Sequence, residues 1–193
     1  MLWISREHEE KTFSFADMRD YSARTANYFK SLGIKKGDRV LLILKRHYQF
    51  WFAICALHKI GAIAIPATNQ LMTKDLVYRF NAAGVSAVVC TADGDVADFV
   101  DEAQAQSADL KTKIIVNGTR EGWSDFNTEI EKCSPVFPRP TGEQALFAHE
   151  PMLMYFTSGT TGYPKIATHA HTYALGHIVT ARFWHKVVPD GLH

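Results

Sequence analysis

Four times in the first 117 residues, a stretch with helical spacing stops at a turn and runs into a short, unbroken apolar segment. That alternation restricts the fold more than any other feature of the chain. In the stretch Ser14–Gly33, Met18, Tyr21, Thr25, Phe29 and Leu32 recur every three or four residues, which is one face of a helix. Ser14 with Asp17 three positions on makes a capping-box start, and Gly33 supplies a left-handed stop. The turn GIKKGD then leads into RVLLIL, an apolar run suited to a strand covered on both faces. The pattern repeats with a helix over His47–Ile60 before AIAIP and a helix from Thr73 to Gly84 before SAVVC. A last helix over Val96–Gln106 precedes KIIVN. Helices alternating with buried strands predict an α/β fold, a largely parallel sheet with helices on both faces.

Beyond Cys133 the texture changes. Residues 134–151 hold four of the seven prolines and no periodicity, and read as an extended connection over the surface. The segment after it reads as a strand, a loop, and a helix from about Thr172 to Lys186.

That loop, in MYFTSGTTGYPK (Met154–Lys165), is the chain's most informative chemical feature. Thr157, Ser158, Thr160 and Thr161 offer hydroxyls, while Gly159 and Gly162 let the backbone turn tightly and aim its N–H groups at a ligand. Lys165 adds a mobile positive charge. Such a set suits a polyphosphate. The spacing is not that of the Walker loop, whose lysine directly follows its second glycine, nor that of a dinucleotide fingerprint or a nucleophile elbow.

YFTSGTTGYPK resembles the signature loop of the adenylate-forming (AMP-binding) superfamily, which includes acyl-CoA synthetases, peptide-synthetase adenylation domains and luciferases. Phe156 stands as an extra residue between Tyr155 and Thr157, as in many acyl-CoA synthetases. The segment from Gly33 to Val89 is similar to the opening of the same family. Ile166 and His169 after the loop most resemble its medium-chain acyl-CoA synthetase branch, although many members carry glycine where Ile166 stands. The resemblance implies that Thr157, Ser158, Gly159, Thr160, Thr161, Gly162 and Lys165 hold the β- and γ-phosphates of ATP, with Thr161 helping to hold Mg²⁺. It implies CoA and a short- to medium-chain carboxylic acid as the other substrates, with a place in fatty acid metabolism.

The same resemblance reads residues 1–193 as part of the large N-terminal domain of such an enzyme, with the C-terminal domain and its catalytic lysine absent. No catalytic residue is assigned within this stretch, and the stretch alone is expected to be inactive. Two other readings stand beside it: a non-catalytic nucleotide-binding module, and another adenylate-forming ligase.

Composition lends no support to several alternatives. With 21 basic and 20 acidic residues, and no basic run longer than a pair, nothing supports a nucleic-acid footprint. The most apolar stretch, around Phe50–Ala67, is interrupted by His58, Lys59, Gly61 and Pro66 and predicts a buried helix and strand rather than a membrane span. Cys55, Cys90 and Cys133 are isolated, which predicts free thiols in a reducing cytoplasm. His169, His171, His177 and His185 lack companions at ligand spacing. Among Phe50, Trp51 and Phe52, helical spacing turns only some toward a common face. The acidic stretch from Asp93 to Gln104 reads as a solvated helix face.

Overall fold

Ser14 starts the first long helix, α1 (Phe15–Ser31), through the reciprocal bonds of a capping box: its hydroxyl accepts from the Asp17 N–H at 3.1 Å, and its own N–H donates to the Asp17 carboxylate at 2.8 Å. The helix ends where Gly33 turns left-handed (φ +85°) and the Ile34 N–H reaches back to the Phe29 carbonyl at 3.0 Å. The computed structural model describes residues 1–158 and 162–188.

A small antiparallel hairpin, β1 (Leu2–Ile4) and β2 (Glu10–Thr12), precedes α1. It was not anticipated, because three-residue strands whose side chains are mostly exposed leave no periodic signal. The predicted β-α repeat then follows: β3 (Arg39–Ile43), α2 (Gln49–Ile60), β4 (Ile63–Pro66), α3 (Thr73–Ala83), β5 (Val85–Thr91), α4 (Val96–Gln104) and β6 (Thr112–Val116). A two-residue strand β7 (Ser124–Asp125) leads into α5 (Phe126–Glu131). Residues 134–150 contain one 3-10 turn, Gly142–Gln144, and are mostly exposed.

The chain then forms β8 (Pro151–Thr157), β9 (Lys165–Ala170) and α6 (Thr172–Phe183). Two helices are shorter than expected, with α4 stopping at Gln104 rather than Gln106 and α6 at Phe183 rather than Lys186. β9 is a further correction, since the sequence reading passed directly from loop to helix. Its apolar alternation is masked by the threonine and histidine it carries.

The sheet order is β7-β6-β5-β3-β4-β8-β9, with every neighbouring pair parallel except β8 and β9. Strand alternation divides the core in two. Val40, Leu42 and Leu44 point with Ala87, Val89, Ile114 and Val116 into a layer containing Phe29, Phe52, Leu57 and Phe126 from α1, α2 and α5. Leu41 and Ile43 point the other way, with Val88, Cys90 and Ile115, against Leu76, Phe80, Val96 and Val100 from α3 and α4. The sheet is therefore covered on both faces, as the unbroken apolar runs require. On α6, Leu175, Ile178, Val179 and Phe183 are exposed, as is Trp184 at its end.

Candidate functional site

β8 ends at Thr157 and β9 begins at Lys165, and the two residues face each other across the hairpin neck. The Thr157 hydroxyl donates to the Lys165 carbonyl at 3.4 Å. Ser158 follows the strand, and Gly162 adopts φ +97°, a left-handed angle that favours glycine. Thr157, Ser158, Gly162 and Lys165 are all exposed. Gly159, Thr160 and Thr161 lie outside the described residues, and with them the expectation of magnesium at Thr161. Because β8 runs parallel to β4, the loop leaves the sheet at the same edge as the carboxyl ends of β3, β4, β5 and β6. Among the described residues no ion pair involves Lys165. Lys165 is exposed, as are its strand partner Thr157 and the following Ser158, residue types able to bind an anion.

The base of the loop is held from the side by α3. The Tyr78 hydroxyl donates to the Pro164 carbonyl at 2.7 Å, and its ring stacks on Tyr163 with centroids 4.9 Å apart. Phe156 meets Tyr78 edge-on at 6.2 Å, and the Arg79 guanidinium sits 5.0 Å from the centre of the Phe156 ring. Thus Phe156, the extra residue of the loop signature, packs against a helix 77 positions earlier in the chain. Sequence reasoning missed this contact, since no local pattern connects α3 to the loop.

A second concavity, about 1000 Å³, opens at the same edge of the sheet but away from the loop. Trp3, Lys45, Arg46, His47, Asp93 and Asn117 are among its lining residues. It lies where the topology reverses: β3 is followed by α2 on one face, while its neighbour β5 is followed by α4 on the other. His47 organises the wall. Its Nε2 lies 2.9 Å from the Thr91 hydroxyl and 3.1 Å from the Asp93 carboxylate, while the Asn117 amide donates to its Nδ1 at 3.2 Å. Lys45 and Asn117 both take left-handed backbone angles without being glycine (φ +47° and +61°). Neither this concavity nor its histidine was legible beforehand.

The remaining sequence candidates resolve individually. Phe52 is buried, stacked on Tyr21 at 4.6 Å, whereas Trp51 at the preceding helical position is exposed. His169 packs on Tyr173 at 4.1 Å, His177 meets the same ring edge-on at 4.4 Å, and His171 faces His58. Among the described residues no group of three or more histidines, cysteines, aspartates or glutamates is arranged for a metal. The acidic stretch of α4 is more than a solvated face. Asp101 accepts from Lys113 at 2.6 Å, Arg120 at 2.7 Å and the Trp123 indole at 2.9 Å, and Arg120 also bridges to Asp98. Charge runs show which residues are polar but not which cations lie across from them on β6 and the following turn.

Comparison with known proteins agrees with the loop. A family model described as AMP-binding enzyme matches residues 2–191. The acyl-coenzyme A synthetase ACSM1, mitochondrial, of Mus musculus is 37% identical over 169 residues, covering 86% of this chain and 28% of the relative. The acyl-coenzyme A synthetase ACSM3, mitochondrial, of Homo sapiens is 34% identical over 192 residues, covering 97% of this chain and 32% of the relative. The chain thus spans about a third of the length of the curated relatives it matches. Among solved structures, a Brucella canis acyl-CoA synthetase superposes with a TM-score of 0.83 at 23% identity, covering 99% of this chain and 34% of that one. The anthranilate CoA ligase AuaEII, solved with anthranoyl-AMP, superposes at 0.80 with 20% identity, covering 95% and 34%. At these identities the two structures speak for the fold alone.

Proposed function

Since the chain belongs to the AMP-binding enzyme family, we propose that it forms the phosphate-gripping part of an ATP-dependent acyl-CoA synthetase. The observation that carries the reading is the hairpin loop itself. It presents Thr157, Ser158, Gly162 and Lys165 to solvent at the carboxyl edge of the sheet, within a family whose members handle AMP.

In the proposed reaction a carboxylate oxygen attacks the α-phosphorus of ATP. The bond from that phosphorus to the bridging oxygen breaks, pyrophosphate leaves with the electron pair, and acyl-adenylate remains. The thiol of CoA then adds to the acyl carbon, loses its proton, and displaces AMP to give the thioester. What the loop contributes is electrostatic and positional. Hydroxyls and backbone N–H groups hold the β- and γ-phosphates, and Lys165 offsets the charge that accumulates on pyrophosphate as it leaves. Any magnesium would be held jointly by loop hydroxyls and phosphate oxygens, because the described part of the loop carries no carboxylate. When bound, the ion supplies further charge neutralisation.

The acid is proposed to be short- to medium-chain, from the likeness of the loop and its flanks to the medium-chain branch, and the pathway to be fatty acid metabolism. By themselves the 193 residues are proposed to grip phosphate without adenylating an acid, because the resemblance places the catalytic lysine outside them. Three free thiols support a reducing compartment, read as the cytoplasm. The named relatives are mitochondrial proteins, and fractionation of producing cells decides between the two compartments.

Titration calorimetry with MgATP and with magnesium pyrophosphate tests the reading. Binding by the chain that weakens in Lys165→Ala supports it; equal binding by the two proteins overturns it. Acid-dependent exchange of pyrophosphate into ATP by the chain, above the Lys165→Ala background, would overturn the expectation of inactivity.

A further inference from the structure

We propose that Tyr78 is a positioning residue for the loop, setting the returning limb Gly162–Lys165 through a clasp between α3 and the β8–β9 hairpin. This rests on the phosphate-binding reading for its consequence, but the clasp itself is a matter of geometry.

Pro164 is the key to the arrangement. Having no N–H, it cannot be held to a neighbouring strand by donation, so only its carbonyl is available to fix it. That carbonyl accepts from the Tyr78 hydroxyl at 2.7 Å, the ordinary distance for a well-formed O–H···O bond. One residue on, the Lys165 carbonyl accepts from the Thr157 hydroxyl at 3.4 Å, a long and weaker contact. The peptide carrying Lys165 is thus held from α3 through the Pro164 carbonyl and from β8 through the strand pairing of Thr157 with Lys165.

Two rings complete the clasp. Tyr163 lies on Tyr78 at 4.9 Å with planes 30° apart, and Phe156 stands edge-on to the same ring at 6.2 Å. Arg79, the next residue of α3, covers Phe156 at 5.0 Å and donates to the Asp75 carbonyl within its own helix. Both limbs of the hairpin are therefore gripped by consecutive residues of one helix. α3 is itself anchored, since Leu76 and Phe80 flank Tyr78 along the chain and are buried in the core. A rigid helix consequently sets where the loop returns to the sheet and where the Lys165 backbone begins.

Such a clasp matters for phosphate chemistry because a displaced donor loses most of its effect over about an ångström. It places Tyr78 outside direct contact with the nucleotide, acting through Pro164 and Tyr163.

The test compares the chain with Tyr78→Phe, which keeps the ring and removes the hydroxyl, and Tyr78→Leu, which removes both. Residue-resolved amide exchange at Gly162, Tyr163 and Lys165 is read beside the thermal midpoint and the affinity for magnesium pyrophosphate. Tyr78→Phe is expected to speed exchange at those three amides by about three- to tenfold, the range for one neutral hydrogen bond, without changing core amides. Pyrophosphate affinity should fall by a similar factor, and Tyr78→Leu should exceed Tyr78→Phe in both measurements. If Tyr78→Phe leaves local exchange and affinity at the level of the unaltered chain, the proposal is overturned. So is it if exchange rises uniformly with a fall in midpoint, because Tyr78 would then only stabilise the fold. Should the unaltered chain fail to bind pyrophosphate while the local exchange effect persists, the clasp stands and the phosphate reading falls.

Discussion

The rings of His58 and His171 meet edge to face with centroids 6.2 Å apart, joining α2 to the residue that precedes α6. His58 Nε2 is buried and has no hydrogen-bond partner among the described residues. Burial, with His171 beside it adding like charge, pushes the His58 pKa down from its usual value to about 4. Glu150 and Lys36 are the charged groups that act on His171.

A folded-state pKa below the unfolded one means that the fold binds the proton less readily, so stability is full above about pH 6.5 and declines as pH falls toward 4. Burial lowers the His171 pKa too, adding loss of the same sign. Urea unfolding at pH 7.5 and pH 5 is expected to differ by about 2 kcal/mol from His58 alone. A His58→Gln variant should flatten that difference; an unchanged slope in the variant would assign the pH dependence elsewhere.

Lys165 is exposed at the hairpin neck, so its truncation is expected to change stability by less than about 0.5 kcal/mol. Affinity for magnesium pyrophosphate should fall about ten- to a hundredfold, the range for losing a charged partner. Calorimetry read beside a thermal melt separates the two effects. A melt that collapses with the affinity would make Lys165 a structural residue.

Asp101 carries three donors on its carboxylate. Burial raises its pKa, but the bonds from Lys113, Arg120 and Trp123 outweigh that and hold it below the ordinary carboxylate value. Asp101→Asn leaves two cations facing an amide and is expected to cost about 1–3 kcal/mol in urea unfolding. Loss of the Lys113–Asp101 link should be visible as faster amide exchange along β6. A variant as stable as the parent would show that the cluster is solvated in practice.

Gly61 ends α2 at φ +83°, and a Cβ there would collide with the Leu146 side chain and press on Lys36. Gly61→Ala is expected to destabilise by about 1–3 kcal/mol through backbone angle and contact together. Removing the contact in a Gly61→Ala, Leu146→Ala double variant should recover only part of the loss, the remainder belonging to the left-handed angle. Full recovery would assign the whole cost to Leu146.

The sequence alone determined the parts of this protein that depend on near neighbours. Helix periodicity, the Ser14–Asp17 capping box and the glycine stops at 33, 61 and 84 follow from interactions within a few residues. The unbroken apolar runs likewise demand a sheet covered on both faces. The proposed anion-binding character of Thr157–Lys165 is equally local, because it rests on the residue types in one short segment.

Tertiary structure decided what sequence spacing cannot encode. Tyr78 and Pro164 are 86 residues apart and meet only because β8 lies beside β4 and places the hairpin against α3. His47, Asp93 and Asn117 converge because strand order brings the ends of β3, β5 and β6 side by side. β9 was invisible because its partner is a strand across a turn rather than a pattern of its own, and the pairing of Asp101 depended on cations that arrive from β6 and beyond. Local periodicity reports how a segment buries its own face; which distant side chain shares that burial is set by topology and close packing, and only the folded chain supplies both.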